Sequence, residues 1–395
     1  MIICATLSNM CYADQSIRNF VDQVNPVGAV STGTAWVPSI SNKWTHVRAN
    51  NRPVKGGSGT YYEAEYQAGA TNARDYTALA GNADATTLWV RCGVLADGAS
   101  APSGSTNVAG NYTVLELRNS SFKIVARLVS LIVNDASRSF YWEVLDATTQ
   151  QVLVSKLVAT ISTSSYPADS DYNQAIDFRI LLDTVGGYVQ AYNTAGQLIA
   201  ETLGTTCTAE PRAYISLGYP RSFSSGISGY SLCYTIVSTT TTFGMLAIPL
   251  LAKSAGTKND ALAGDYTQFQ QWYTIATIPT PLKLEAAVGE TKQVDFKFNS
   301  LSDIGMPANY RLDAVMLRAL NTAISADGTT VPAKITMSLD GVTFFDTAAP
   351  VVPNIELAGG KYQTKSVLYN TNPVTASAWQ PSDIANLYVG MKLER

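Results

Sequence analysis

The chain has 395 residues, enough for two domains and ample core. Charged residues make up 14% and the formal net charge is −3, so no basic field is available to attract nucleic acid. An average soluble protein carries roughly 25% charged residues; here Thr, Ser, Asn, Gly and 21 tyrosines take their place, as suits β-sandwich surfaces.

At the start, "MIICATLSNMCYADQ" has no basic region and too short an apolar run for a signal peptide. Strand-sized runs follow. They include "TYYEAEYQ" (60–67), "TTLWVRCGVL" (86–95), "YTVLELRN" (112–119), "SFKIVARLVSLIV" (121–133), "SFYWEVLDA" (139–147) and "QVLVSKLVA" (151–159). "LVSLIV" is almost continuously apolar, as expected of a strand covered on both faces. Turn clusters such as "ADGASAPSGSTNVAGN" separate the runs.

"IDFRILLDTVGGYVQAYNTAGQLIAE", residues 176–201, reads as an antiparallel meander. Side chains alternate between the faces of a strand, so Phe178, Ile180 and Leu182 share one face and Arg179, Leu181 and Asp183 the other. Tyr188, Gln190 and Tyr192 share a face of the second strand. Gly186 and Gly187 are expected to turn the chain by taking positive φ, and Asn193 and Gly196 to turn it again. "RAYISLGYP" (212–220) and "YSLCYTIV" (230–237) complete the set. So many short strands predict an all-β first domain over residues 1–240, built as a two-sheet sandwich.

Residues 241–265 change character and are expected to be a linker. "FGMLAIPLLA", residues 243–252, is too short to span a bilayer and contains Pro249. This apolar stretch packs either on a neighbouring chain or on its own domain. Residues 266–395 predict a smaller β-sandwich, with strands in "YTQFQQWYTIATI", "KQVDFKFNSL", "YRLDAVMLRALN", "AKITMSLDGVTFFD" and "KSVLYN". "LDAVMLRAL" has helical propensity, but Val315, Leu317 and Ala319 alternate among strands, which favours strand. "WQPSDIANL" predicts a turn or two of helix with Pro381 at its first position, and "YVGMKLE" a final strand.

The five cysteines, Cys4, Cys11, Cys92, Cys207 and Cys233, form no CxxC pair. This argues against a disulfide framework or zinc site and for buried thiols in a reducing cytoplasm. His46 is the sole histidine, so a histidine-dependent triad would have to use it, and no G-x-S-x-G accompanies it. Glu63 and Glu65 project from one face of their run and are the best carboxylate pair for glycoside hydrolysis; sheet-face glutamates are otherwise simply solvated. Asp169, Asp171 and Asn173 have metal-loop spacing, but Gln174 and Ile180 stand where an EF-hand loop needs Gly and Glu, which favours a solvated turn. "KGGSGT" lacks the phosphate-loop layout, and no nucleotide cofactor is implied. Tyr188, Tyr192, Trp89, Trp142 and Trp44 could stack on sugar rings, or, the tryptophans especially, fill the core.

Several segments resemble a known family. "NFVDQVNPVGAVSTGTAWVPS", "HVRANNRPV", "TYYEAEYQ", "SFYWEVLDA" and "FRILLDTVGGYVQAYNTAGQLIAETLG", over about residues 17–236, resemble concanavalin A-like (laminin-G-like) jelly rolls of tailed-bacteriophage virion proteins. "YRLDAVMLRALN" and the hairpin Ser338–Phe344 are similar to galactose-binding-like sandwiches. "NPVTASAWQPSDIANLYVGMKL" resembles the terminal segment of phage tail and fibre proteins. The resemblance implies a non-enzymatic structural protein of the tail, baseplate or fibre, assembled in the host cytoplasm. Its partners would be other virion proteins, further copies of itself and host surface glycan, with no cofactor and no membrane insertion. Glucanases of the same jelly-roll class carry an E-x-D-x-x-E strand motif. Here Ala64 replaces its Asp and no third acid follows Glu65. A lectin-like adhesin and a hydrolase using Glu63 and Glu65 are the alternatives.

Overall fold

In the computed structural model, the structure describes residues 2–8, 17–22, 28–30, 36–38, 44–45, 54–55, 76–78, 86–94, 112–121, 123–134, 137–162, 175–193, 195–220, 232–250, 252–269, 282–303, 311–321, 333–346 and 363–394. The first strands are β1 (Ile2–Ser8), β2 (Ile17–Asp22), β3 (Gly28–Val30), β4 (Trp36–Pro38), β5 (Trp44–Thr45), β6 (Val54–Lys55) and β7 (Tyr76–Ala78). A long run follows: β8 (Thr87–Val94), β9 (Tyr112–Arg118), β10 (Ile124–Asn134), β11 (Ser137–Leu145), β12 (Val152–Ser162), β13 (Ala175–Leu181), β14 (Tyr188–Tyr192), β15 (Leu198–Leu203), β16 (Tyr214–Pro220) and β17 (Leu232–Ser238). Beyond it lie β18 (Leu246–Leu250), β19 (Ala252–Asn259), β20 (Thr291–Phe298), β21 (Arg311–Asn321), β22 (Ala333–Ser338), β23 (Phe345–Asp346), β24 (Gln363–Tyr369), the helix α1 (Pro381–Asn386) and β25 (Tyr388–Glu394). The protein is all-β, as its alternating pattern predicts.

Two six-stranded antiparallel sheets form the sandwich. The first has the order β12-β11-β10-β9-β16-β7 and the second β15-β14-β13-β8-β17-β2. One apolar cluster joins them, with Leu115, Leu128, Phe140, Trp142 and Val158 from the first sheet and Leu88, Val90, Phe178, Ile180 and Val189 from the second. The Phe140 and Phe178 rings meet across the layers at 5.0 Å between centroids. Burying each large side chain contributes about 1.5–3 kcal/mol. Trp142, one of the possible sugar platforms, lies wholly inside this core, and its Nε1 donates to the Thr206 carbonyl at 2.8 Å. In "LVSLIV", Leu128, Val129 and Ser130 are all buried, so both faces of β10 are covered there.

The meander forms as predicted, as β13, β14 and β15, but its first turn works differently. Asp183 accepts hydrogen bonds from the Val185 and Gly186 amides, both at 2.7 Å, and neither Gly186 nor Gly187 takes positive φ. Gly187 is needed for room instead. A Cβ there would sit 2.0 Å from Thr206 Oγ1 and 2.7 Å from the Leu181 carbonyl. The second turn follows expectation: Asn193 accepts from the Ala195 and Gln197 amides, and Gly196 has φ of 75°.

Two further sheets hold the C-terminal strands, in the orders β18-β1-β21-β24 and β19-β20-β25-β22-β23. The segment expected as a linker contributes β18 and β19 to them. β1, from the stretch expected as the first domain, inserts between β18 and β21, with Ile3 opposite Leu250 on one side and Leu317 on the other. Among the described residues, "IICATLS" pairs only with strands far away in sequence, and this long-range pairing satisfies its backbone groups. β21 is a strand, as its alternation indicates, and burial of residues 312–317 on both faces explains its continuous apolar character. "YTQFQQWYTIATI" opens not as a strand but as a 3-10 turn, Tyr266–Phe269, because Asp265 accepts from the Thr267 amide and hydroxyl. The rest of that run, residues 270–278, lies outside the described residues.

Asp295 organises the edge of the second of these sheets. The β19–β20 register breaks between Ala255 and Asn259, and the buried Asp295 carboxylate accepts there from the Thr257 and Lys258 amides at 2.9 and 2.6 Å. Burial raises its pKa against the pull of those two donors. Gly256 leaves space for it, since a Cβ would fall 1.7 Å from Asp295 Oδ2. Pro381 opens α1, whose entry is fixed by the Gln380 amide donating to Asp383 at 2.9 Å, and β25 follows. The Ser338–Phe344 turn joins β22 to β23, with Asp340 accepting from the Val342 and Thr343 amides, both at 2.8 Å.

Two predictions follow from this packing. Gly187→Ala should lose about 1–3 kcal/mol in denaturant unfolding through overpacking, whereas Gly186→Ala should stay within about 0.5 kcal/mol, its nearest contact being Asp183 at 3.9 Å. The second concerns acid. The Lys253 ammonium and Ser300 amide hold Asp303 at about 2, and the Val342 and Thr343 amides hold Asp340 at about 2. Both lie below the unfolded value of about 3.9, so their stabilisation is present above about pH 4 and lost as pH falls towards 2. Carboxyl NMR titration should show both midpoints near 2, and Asp303→Asn should flatten the acid limb of the stability curve.

Candidate functional site

The outer face of the second sheet, turned away from the core, gathers the most distinctive chemistry among the described residues. Register fixes its rows. Glu201, Gln190, Arg179 and Trp89 align across β15, β14, β13 and β8. Leu203, Tyr188 and Leu181 form the row on one side, and Leu198, Tyr192, Asp177 and Arg91 the row on the other. The inner partners Ile176, Phe178, Ile180, Val189 and Ala191 are spent on the core, so strand alternation leaves these side chains pointing outward.

The aromatic groups touch. Trp89 lies 5.6 Å from Tyr192 and 5.2 Å from Phe243, and Tyr192 lies 5.5 Å from Phe243. The Arg179 guanidinium carbon sits 5.7 Å from the Trp89 ring centre and 5.4 Å from that of Tyr188. A polar chain crosses the same face: the Tyr192 hydroxyl donates to Gln190 Oε1 at 2.7 Å, and Gln190 Nε2 donates to Glu201 Oε1 at 2.6 Å. Flat apolar rings bordered by fixed polar groups are the chemistry that saccharides require.

The face is anchored by a buried ion pair. Arg91 donates to Asp177 at 2.5 Å and the Thr242 hydroxyl donates to the other Asp177 oxygen at 2.6 Å. Burial pushes the Asp177 carboxyl up while Arg91 pulls it down. Thr242 and Phe243 belong to the segment leaving β17, so the pair and the ring cluster together dock that exit onto the sheet. Of the two placements open for the apolar stretch, its first residues dock on the chain's own sandwich. Leu246–Leu250 then pairs with β1.

The outer face of the first sheet carries a second set of charges. Arg127 donates to Glu143 at 2.7 Å and Arg118 to Glu116 at 2.9 Å, and all four side chains are buried. Cys92 and Cys207 are buried, and burial raises the Cys207 pKa. No group of three or more metal-ligating side chains occurs among the described residues.

Of the residues singled out in the sequence, Trp89, Tyr188 and Tyr192 come together on this face, and Trp142 goes to the core. His46, Glu63, Glu65, Asp169, Asp171 and Asn173 lie outside the described residues, as does the side chain of Trp44. Arg179, Gln190, Glu201 and Phe243 were not anticipated as site residues. Alternation places Arg179 off the core face, but only strand pairing brings Trp89 beside it.

No family model matches the chain, and no curated protein matches it. Among solved structures it is similar to the CBM2 module of the evolved Dit of Lactobacillus casei BL23 phage J-1, at 15% identity over 60% of this chain and 96% of that one, with a TM-score of 0.29. It is also similar to the exolytic PL7 alginate lyase of Zobellia galactanivorans, at 9% identity over 57% and 95%, with a TM-score of 0.29. An alginate lyase from Klebsiella pneumoniae matches at 11% identity over 41% and 58%, with a TM-score of 0.25.

Asp177→Ala should strand Arg91 in the buried layer and cost about 3–5 kcal/mol. Chemical denaturation should show the loss, accompanied by a change in tryptophan fluorescence as Phe243 leaves Trp89.

Proposed function

We propose that the chain is a non-enzymatic structural protein of a tailed-phage virion, in the tail, baseplate or fibre apparatus, acting through contacts with neighbouring subunits. The observation that carries the contact role is an apolar margin of the sandwich that pairs with no further strand among the described residues. β12 and β15 are the outermost strands of their sheets and lie together, linked by Lys156 donating to the Leu203 carbonyl. Leu153, Leu157, Leu198 and Leu203 are each more than half exposed along them, and Lys156 is the only charged residue of β12. Such edges favour pairing with another chain unless charge or proline blunts them. The virion assignment is supported by the resemblance of the jelly-roll segments and of residues 372–393 to phage proteins.

A second reading, carbohydrate recognition, is favoured by the contact of Trp89, Tyr188, Tyr192 and Arg179 on one sheet face. In either role the protein works by binding.

Replacing Leu153 and Leu157 together by lysine tests the first reading. The double variant should keep its thermal midpoint, yet light scattering should show a smaller assembly, and purified particles should lose the fixed, symmetric copy number of the wild type. A wild-type chain that is monomeric and absent from particles would overturn the reading.

A further inference from the structure

We propose that the outer face of the second sheet binds an acidic saccharide, with Arg179 holding the sugar carboxylate. This rests on the carbohydrate-recognition reading and names its site and ligand class. The argument begins with charge. Arg91, Arg118 and Arg127 are each bonded to a carboxylate of their own sheet, Asp177, Glu116 and Glu143 respectively. Arg179 stands on the same sheet as Arg91, on the strand that neighbours it, but no carboxylate among the described residues pairs with it. Its Nε is shielded from solvent without a hydrogen-bond partner. Among the described residues its terminal amino groups have no hydrogen-bond partner either.

The rings of Trp89 and Tyr188 hold this guanidinium from two sides. Stacking of that kind fixes the plane of the fork in advance, so less entropy is lost when a ligand takes its N–H donors. A planar carboxylate accepts two such donors at once. Around the fork the face offers the remaining contacts of a sugar. Tyr188 presents a half-buried ring for the C–H face. Gln190 is locked between Tyr192 and Glu201, which leaves the second oxygen of the exposed Glu201 to accept from a hydroxyl. Glu201 stands two strands from Arg179 and disfavours a more highly charged phosphate at the same place.

Calorimetric titration of the full chain tests the proposal. Oligogalacturonate and oligoglucuronate are the acidic probes, their carboxyl-reduced forms are the neutral counterparts, and polyphosphate is the control for charge alone. The acidic oligomers should bind at least tenfold more tightly than the reduced forms, and the difference should shrink with added salt. Arg179→Gln should remove that preference, and Arg179→Lys, which keeps the charge without the fork, should restore only part of it. If Arg179→Gln unfolds, the comparison of acidic with reduced oligomers on the wild-type chain still decides. Equal binding of acidic and reduced oligomers would overturn the carboxylate site while leaving carbohydrate recognition standing. Polyphosphate binding as tight as the uronates would overturn the selection for carboxylate. No binding of any saccharide would overturn both readings.

Discussion

Burial between two antiparallel sheets is the interaction on which the rest of the molecule depends. The cluster that runs from Leu115 and Trp142 in one layer to Phe178 and Val189 in the other leaves no room for a slip in register. A shift of one residue on β13 would exchange Phe178 and Ile180 for Asp177 and Arg179 in the core. The same burial therefore decides what the outer faces display. Every second residue of β8, β13 and β14 is committed to the interior, and the residues between them become the candidate site.

Charge is scarce in this protein, and within the sandwich it is used locally. Arg91, Asp177 and Thr242 close a buried triad, while Arg118, Arg127, Glu116 and Glu143 pair on the opposite outer face. Buried charges are tolerated only when each finds a partner. Arg179 departs from this economy by stacking on rings, with no carboxylate paired to it among the described residues. The triad also has a role in chain routing. It pins the segment after β17, from which the chain continues into a sheet shared with β1.

Much of the fold was legible because it is local. The meander from Ile176 to Glu201, the strand at 311–321 and the short helix begun by Pro381 follow from alternation, turn residues and proline geometry. The structure departs from the local pattern where a competing local contact wins. Asp265 turns the chain at Tyr266, where a strand was expected. Gly187 serves close packing against Thr206 and not a positive φ. For the site, alternation indicated that Tyr188 and Tyr192 share a face, but it gave no means of bringing Trp89 or Phe243 to them. The carboxylate pair Glu63 and Glu65 lies outside the described residues.

By itself, the sequence determined that this is an all-β chain of low charge, because strand periodicity and turn residues act within a few positions of one another. Only the tertiary structure decided which strands are neighbours. It placed β1 between β18 and β21, sent Trp142 inward and left Trp89 outside, and set Arg179 between two rings from different strands. These outcomes depend on pairings between residues far apart in the chain, where the energy lies in mutual burial and not in any local preference.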